Sequence, residues 1–256
     1  MSNYAPAATR AEVRPLSTQD LWAVLALGWA DFKRAPLYGL FFASVYVAGG
    51  WIIVYALTSS GKLWWTLPAA AGFPILGPFI ACGLYEVSRA LEEGEPLHWR
   101  NVLGVVLDQK DRQIPSMAVV VVVFFLFWNF LAHMIFALFM GLSVMTNITS
   151  SFEVYFTANG VLMLTIGTIV GAIFAGVLFS LTVISLPMLL DREVDFVTAM
   201  ITSVAVVITN PGIMLLWGGI IAMALFASML VGFLGLFIAL PVLGHASWHL
   251  YRRALD

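Results

Sequence analysis

Charged residues are absent from five long stretches of this chain, and this pattern constrains the fold more than any other feature. The uncharged stretches are residues 35–61, 63–85, 113–152, 154–190 and 196–251. Each can hold a helix of about 20 residues, enough to cross about 30 Å of hydrocarbon. Over the whole chain 61% of residues are hydrophobic and 10% are charged, whereas soluble domains are about half apolar and about a quarter charged. The pattern predicts a polytopic membrane protein and excludes a cytosolic enzyme.

The basic residues predict how the spans are oriented. If the chain crosses the membrane an even number of times, eleven of its twelve Lys and Arg residues lie on one side, and only Lys62 lies on the other. The positive-inside rule places that side, with both termini, in the cytoplasm. Five spans would leave Arg252 and Arg253 outside. We therefore divide the last stretch into two helices, at about residues 211–228 and 229–251, with one long tilted helix as the alternative.

The N-terminal segment differs in composition from the rest of the chain. Residues 1–16 are rich in alanine, proline and small polar residues and contain no apolar signal sequence. This composition is typical of a short disordered tail. Residues 17–256 are predicted to form a single transmembrane domain.

Three parts of this domain share one spacing, which indicates an internal repeat. Each contains an amphipathic stretch that starts sixteen residues before a proline, and the pairs are Asp20 and Pro36, Trp99 and Pro115, and Asp195 and Pro211. In the first stretch the predicted apolar face consists of Leu21, Leu25, Gly28, Trp29 and Phe32. An amphipathic helix can lie along the membrane surface, and the proline then marks the turn into the bilayer.

The repeat units are about residues 17–96, 97–190 and 191–256. The predicted fold is therefore all-α, with six transmembrane helices arranged as three hairpins. Each hairpin is preceded by an interfacial amphipathic helix.

Polar side chains inside the predicted spans are candidate functional residues, because they are costly in lipid. Asn129 and His133 lie four residues apart in the third span and share one helix face. They could hydrogen-bond a neighbouring helix, contact a quinone head group or, in the case of His133, ligate a haem iron. Because His and Asn in membrane helices most often hydrogen-bond another helix, we predict that role and no firm cofactor.

A second group of candidates lies near the cytoplasmic ends of two spans. His245 and His249 are four residues apart, and Glu86 is at the matching end of the second span. These three side chains are a candidate metal site, although zinc needs three or four ligands. We predict instead an interfacial belt formed by GHASWHLY at residues 244–251, with its Trp and Tyr at headgroup level, and no firm metal site. Arg89 follows Glu86 by three residues, which favours a local ion pair over a proton relay.

Prolines and glycines inside the spans leave two functional interpretations open. Pro78, within GFPILGPF at residues 72–79, and Pro241 could break their helices, so that freed carbonyl groups line an ion or substrate site. Kinked, closely packed helices explain the same prolines. Gly167, Gly171 and Ala175 favour close contact between helices.

Four segments of the chain carry a family resemblance. They are GWADFKRAPLYGLFF at residues 28–42, AAGFPILGPFIACGLYEVSR at 70–89, NPGIMLLWG at 210–218 and LPVLGHASWHLYRRALD at 240–256. Together they resemble the DUF2189 family of bacterial integral membrane proteins. The resemblance implies a location in the bacterial inner membrane and no particular reaction.

The composition also limits the classes of function. We expect a non-catalytic accessory or scaffold subunit of a larger respiratory or other bioenergetic complex, with other integral membrane proteins and the lipid bilayer as partners. A small-molecule transporter or channel is the alternative. The net charge is −2 and no basic block is present, so nucleic acid is not an expected partner. No nucleophile or phosphate-binding motif indicates an enzyme.

Overall fold

The computed structural model describes residues 12–60, 66–108, 112–141 and 156–255. Within these ranges the chain is all-helical and contains no strand, which confirms the predicted fold class. The described helices are α1 (Thr18–Arg34), α2 (Pro36–Ser60), α3 (Thr66–Glu93), α4 (Trp99–Asp108), α5 (Ile114–Met140), α6 (Ala158–Thr182), α7 (Ser185–Asp191), α8 (Phe196–Thr209), α9 (Pro211–Leu230) and α10 (Leu236–Leu255).

The three predicted amphipathic stretches form the separate helices α1, α4 and α8. A capping box starts α1, because the Ser17 side chain accepts a hydrogen bond from the Asp20 backbone N–H and the Asp20 carboxylate accepts one from the Ser17 N–H. The Ser17 hydroxyl also donates to this carboxylate, and the two Ser17 donors lower the pKa of Asp20. Ala35 and Asn210, the residues before two of the prolines, leave the α conformation as expected.

The last apolar stretch forms two helices, as predicted, and not one long helix. The chain turns at residues 231–235, slightly later than expected from the sequence. Gly232 has a φ of 66° and Phe233 a φ of 68°, so the turn uses the left-handed region, which is unusual for phenylalanine. The turn is held by α2, because the Trp51 indole N–H donates to the Gly232 carbonyl over 2.9 Å and the Phe233 ring lies against Gly50.

The two prolines that we considered as helix breaks do not interrupt their helices. α3 continues through Pro78 and α10 continues through Pro241, so the helix-break alternative is wrong at these positions and the packed-helix alternative remains. The fourth apolar segment is broken at residues 183–184, four residues before Pro187, where a proline ring clashes with the preceding turn. The freed N–H of Ile184 donates to the hydroxyl of buried Ser203 on α8 over 3.1 Å.

Four helical segments are long and apolar enough to cross a membrane, among the residues whose side chains are described. They are Pro36–Tyr55, Ile114–Met140, Ala158–Asp191 and Pro211–Leu230. The chain is therefore a membrane protein by the length and composition of its helices. α3 and α10, which we also predicted to cross, carry charged residues in their C-terminal turns.

α10 lies at the centre of the bundle. It packs against α1, α2, α3, α7 and α9, and its side chains Trp248 and Tyr251 are fully buried. α1 and α2 run antiparallel to it, since Asp20 contacts Arg253 near one end and Gly50 lies against Phe233 at the other. The hairpin of α5 and α6 lies at the periphery.

Part of the predicted N-terminal tail belongs to the packed structure. The Asn210 side chain accepts a hydrogen bond from the Leu16 N–H over 2.6 Å and donates one to the Arg14 carbonyl over 3.1 Å. Val13 and Leu16 pack against the core. The predicted disorder therefore does not extend to residues 13–16, and residues 1–11 lie outside the described part of the chain.

Candidate functional site

Most of the ionisable side chains that the helices bury lie together at one end of the bundle. The C-terminal turns of α3, α7 and α10 meet there, beside α1. This arrangement follows from the sequence, because charged residues are excluded from the apolar middle of the helices and collect at their ends. We call this group the end cluster, and it consists of Asp20, Asp31, Glu86, Ser88, Arg89, Glu92, Asp191, Arg192, His245, Trp248, His249, Tyr251, Arg252 and Arg253.

His249 in the end cluster pairs with a carboxylate that the sequence analysis did not single out. Its Nε2 lies 2.7 Å from Oδ2 of Asp31 on α1, and only 6% of Asp31 is exposed. The sequence does indicate Asp31, because it follows Leu21, Val24 and Gly28 at helical spacing. In the structure these four residues form the buried face of α1. The pair joins the C-terminal half of the central helix to the first helix.

His245, one turn before His249, is fully buried and has a different partner. Its Nδ1 lies 2.8 Å from the Ser88 hydroxyl on α3. Its Nε2 has no hydrogen-bond partner among the described residues. His245 therefore joins α10 to α3, while His249 joins α10 to α1.

Glu86 forms the local ion pair that the sequence predicted. Its two carboxylate oxygens accept hydrogen bonds from Nε and Nη2 of Arg89 over 2.8 and 2.9 Å. Glu86 is 4% exposed, so the guanidinium group compensates for the loss of water around its charge. A two-point contact of this kind also fixes the orientation of both side chains.

The proposed metal ligands do not converge on one point. His245, His249 and Glu86 contact Ser88, Asp31 and Arg89, respectively. Among the residues that the structure describes, no group of three or more His, Cys, Asp or Glu side chains is placed to hold a metal ion. The two histidines therefore contact other helices and Glu86 pairs within α3, and these contacts give the metal hypothesis no support.

The predicted interfacial belt at the end of α10 is also wrong. Trp248 and Tyr251 are both fully buried, because α10 is surrounded by other helices and does not reach the lipid here. The Trp248 indole N–H donates to Glu92 over 2.9 Å. The Tyr251 hydroxyl donates to Asp191 over 2.5 Å and accepts from Arg192 over 2.9 Å.

The two arginines that follow complete the end cluster. Arg253 contacts Asp20 over 2.6 Å, and Arg252 lies 3.5 Å from Glu92 and 3.6 Å from Asp191. These pairs hold the start of α1 and the ends of α3 and α7 against α10. The end cluster can therefore hold these helix ends together.

Asn129 and His133 lie apart from the end cluster, and among the described residues neither forms a hydrogen bond to a neighbouring helix. The Asn129 amide donates to the Phe125 carbonyl over 2.8 Å, and His133 Nδ1 lies 2.7 Å from the Asn129 carbonyl. Both partners belong to α5 itself. His133 is exposed on the outside of the bundle, which the sequence could not show because both faces of α5 are apolar.

The cavities between the membrane helices are lined by apolar side chains. Two grooves of about 330 and 380 Å³ lie between α5 and α6, on either side of the contact between Trp128 and Gly171. A smaller cavity of about 140 Å³ lies among α2, α3, α9 and α10, next to Tyr46 and Ser247. A polar depression of about 360 Å³ lies around the exposed ion pair of Arg112 and Glu193.

The described chain is an all-helical bundle with several apolar spans, and the ion pairs of the end cluster lie together at one end. This architecture is that of an integral membrane protein. Residues 66–191 match the model of the DUF2189 family, described as a predicted integral membrane protein. This match confirms the family resemblance over α3 to α7, about half of the chain, and includes the segment at residues 70–89. No curated protein and no solved structure matches the chain.

Proposed function

We propose that this protein is a non-catalytic accessory or scaffold subunit of a larger complex in the bacterial inner membrane. The observation that carries the proposal is the outward position of His133 on α5. An imidazole at membrane depth is unfavourable against lipid and is stabilised by a hydrogen bond to a second helix. Within the described part of the chain His133 contacts only its own helix, so a partner subunit would supply this hydrogen bond.

The surroundings of His133 support the same proposal. In an 18-residue apolar stretch of α5 only 6% of the residues are buried inside the chain, compared with 33% in the corresponding stretch of α2. The exposed side of α5 carries large side chains that include Phe127, Phe130 and Leu138. This surface, together with the apolar grooves beside α6, offers another membrane helix a broad area for packing.

A transporter or channel has less support. The helix-break argument for it depended on Pro78 and Pro241, and both helices are continuous. The charged groups of the end cluster are paired with each other, and the cavities found among the described spans are lined mainly by apolar side chains. A solute pathway would instead need polar groups directed into a cavity.

We further propose that α2, α3, α5, α6 with α7, α9 and α10 are six spans that form three hairpins, with both termini in the cytoplasm. The separate short helices α1, α4 and α8, each preceding a long pair, support this arrangement. The end cluster supports it too, because it brings together the ends of α3, α7 and α10, the second helices of the three hairpins.

The topology is tested by fusions to alkaline phosphatase, which is active only outside the cytoplasm. We expect a fusion after Asp256 to be inactive and a fusion between residues 141 and 156 to be active, because an even number of spans returns the C-terminus to the cytoplasm. Fusions to a cytoplasmic reporter at the same positions are the control and should give the reverse pattern. An active fusion after Asp256 would contradict six spans.

The scaffold proposal is tested by purification of tagged protein from its native membrane in mild detergent. We expect one partner in stoichiometric amount with the wild-type chain, and a loss of that partner of about tenfold with His133→Leu, because one interhelical hydrogen bond is removed. His98→Leu is the matched control, since it makes the same change at an exposed histidine in the loop between α3 and α4. Recovery of the wild-type chain alone, or equal partner recovery with His133→Leu, would contradict the proposal.

A further inference from the structure

We propose that the outer face of α1 binds the headgroups of anionic phospholipids in the cytoplasmic leaflet. The outer face consists of Trp22, Ala26, Trp29 and Lys33, and Arg34 follows at the end of the helix. This inference goes beyond the role as an accessory subunit and does not depend on any protein partner.

The face of α1 that packs on the bundle coincides only in part with the apolar face predicted from the sequence. Leu21, Val24, Gly28 and Asp31 are buried against the other helices. Trp29, which we placed on the apolar face, is 43% exposed, and Trp22 is 70% exposed. These two tryptophans lie on the side of the helix opposite to the buried residues.

The charges of α1 are divided between the two faces. Both acidic residues contact α10, since Asp20 pairs with Arg253 and Asp31 with His249. The two basic residues, Lys33 and Arg34, are exposed, and no ion pair to either is present among the described residues. The exposed charge of α1 is therefore positive, although the helix as a whole has two acids and two bases.

The position of these cations along the chain places them at the membrane surface. α2 begins at Pro36, directly after Arg34 and Ala35, and is an apolar span. The Lys33 ammonium lies 6.0 Å from the centroid of the Trp29 ring, so cation and aromatic ring form one surface. Tryptophan is typical of the headgroup region, and lysine and arginine at a cytoplasmic helix end attract anionic lipids. This complementarity selects an anionic phospholipid over a zwitterionic one.

The test measures how lipids stabilise the purified full-length chain in detergent. We expect phosphatidylglycerol to raise the thermal midpoint at lower concentration than phosphatidylcholine does. In the double variant Lys33→Gln/Arg34→Gln, the phosphatidylglycerol concentration for half the effect should rise about thirtyfold, because two cations near an anionic surface are lost. The response to phosphatidylcholine should not change. Arg14→Gln/Arg112→Gln removes two cations elsewhere and should leave both responses as in the wild type.

Three results would overturn the proposal. The first is an unchanged phosphatidylglycerol response in the double variant. The second is an equal loss in the Arg14→Gln/Arg112→Gln control, which would indicate a general charge effect. The third is full stabilisation of the wild type by glycerol phosphate, which would indicate a site for a soluble phosphate.

If the double variant is poorly folded, Lys33→Gln alone should raise the phosphatidylglycerol concentration for half the effect about fivefold. A failure of the partner experiment on His133 leaves these expectations unchanged.

Discussion

Replacing Gly28 by alanine is expected to destabilise the protein by about 3 kcal/mol, at the upper end of the usual cost of overpacking. A Cβ atom at Gly28 would lie 2.6 Å from the Val242 carbonyl oxygen and 2.7 Å from the Ala246 backbone nitrogen. These are main-chain atoms of α10, so α1 has to move away from the central helix. That movement would also lengthen the Asp31–His249 contact. The measurement is the free energy of unfolding in detergent.

The matched control for Gly28→Ala is Gly104→Ala on α4. A Cβ at Gly104 meets nothing within 4 Å, and alanine is favoured over glycine in a helix by about 0.5–1 kcal/mol. We therefore expect the same substitution to stabilise the protein slightly at this position. Destabilisation of similar size at both positions would show that the approach of α1 to α10 is not the cause.

Replacing Arg89 by methionine is expected to destabilise the protein by about 3 kcal/mol, because it leaves the buried Glu86 carboxylate without its cation. The methionine retains most of the apolar length of the side chain. Glu86→Gln should cost less, about 1 kcal/mol, since a neutral amide needs no counter-charge and its oxygen still accepts a hydrogen bond from Arg89. Thermal or chemical unfolding of the purified variants in detergent measures both effects.

The double variant Glu86→Gln/Arg89→Met separates the ion pair from other effects of the arginine. We expect it to be more stable than Arg89→Met alone, because it contains no unpaired buried charge. Glu93→Gln is the control, since Glu93 is exposed and lies 3.5 Å from Arg89, and it should change stability by less than about 0.5 kcal/mol. Additive effects of the two substitutions would show that Glu86 and Arg89 do not act as a pair.

The local features of the fold followed from the sequence because they depend on short stretches of chain. Ser17 and Asp20 have the spacing of a capping box, and their reciprocal hydrogen bonds start α1. The spacing of Glu86 and Arg89 predicted an ion pair within one helix. The lack of charge between residues 196 and 251, together with Arg252 and Arg253, predicted two final helices, and the structure has two.

The errors concern contacts between distant parts of the chain. Trp248 and Tyr251 have the sequence pattern of an interfacial belt, but they are buried because α10 packs against α1, α2, α3, α7 and α9. Trp29 was predicted on the same apolar face as Leu21 and Gly28, but the buried face of α1 is set by the close approach of Gly28 to α10 and does not include Trp29. Pro78 and Pro241 were plausible helix breaks, but the surrounding helices keep both segments helical.

The sequence by itself determined that this chain is an all-helical membrane protein, because the positions of a few charges limit where helices can cross lipid. Only the tertiary structure decided what the polar residues do. Asp31 and His249 are 218 positions apart, and Ser88 and His245 are 157 apart. A helical pattern in the sequence shows which residues share one face of a helix. It does not show which part of another helix that face contacts. That choice depends on packing across the whole bundle. Here it gives the candidate ligands His245 and His249 contacts with other helices, while Glu86 forms an ion pair within α3 and His133 is exposed at the surface.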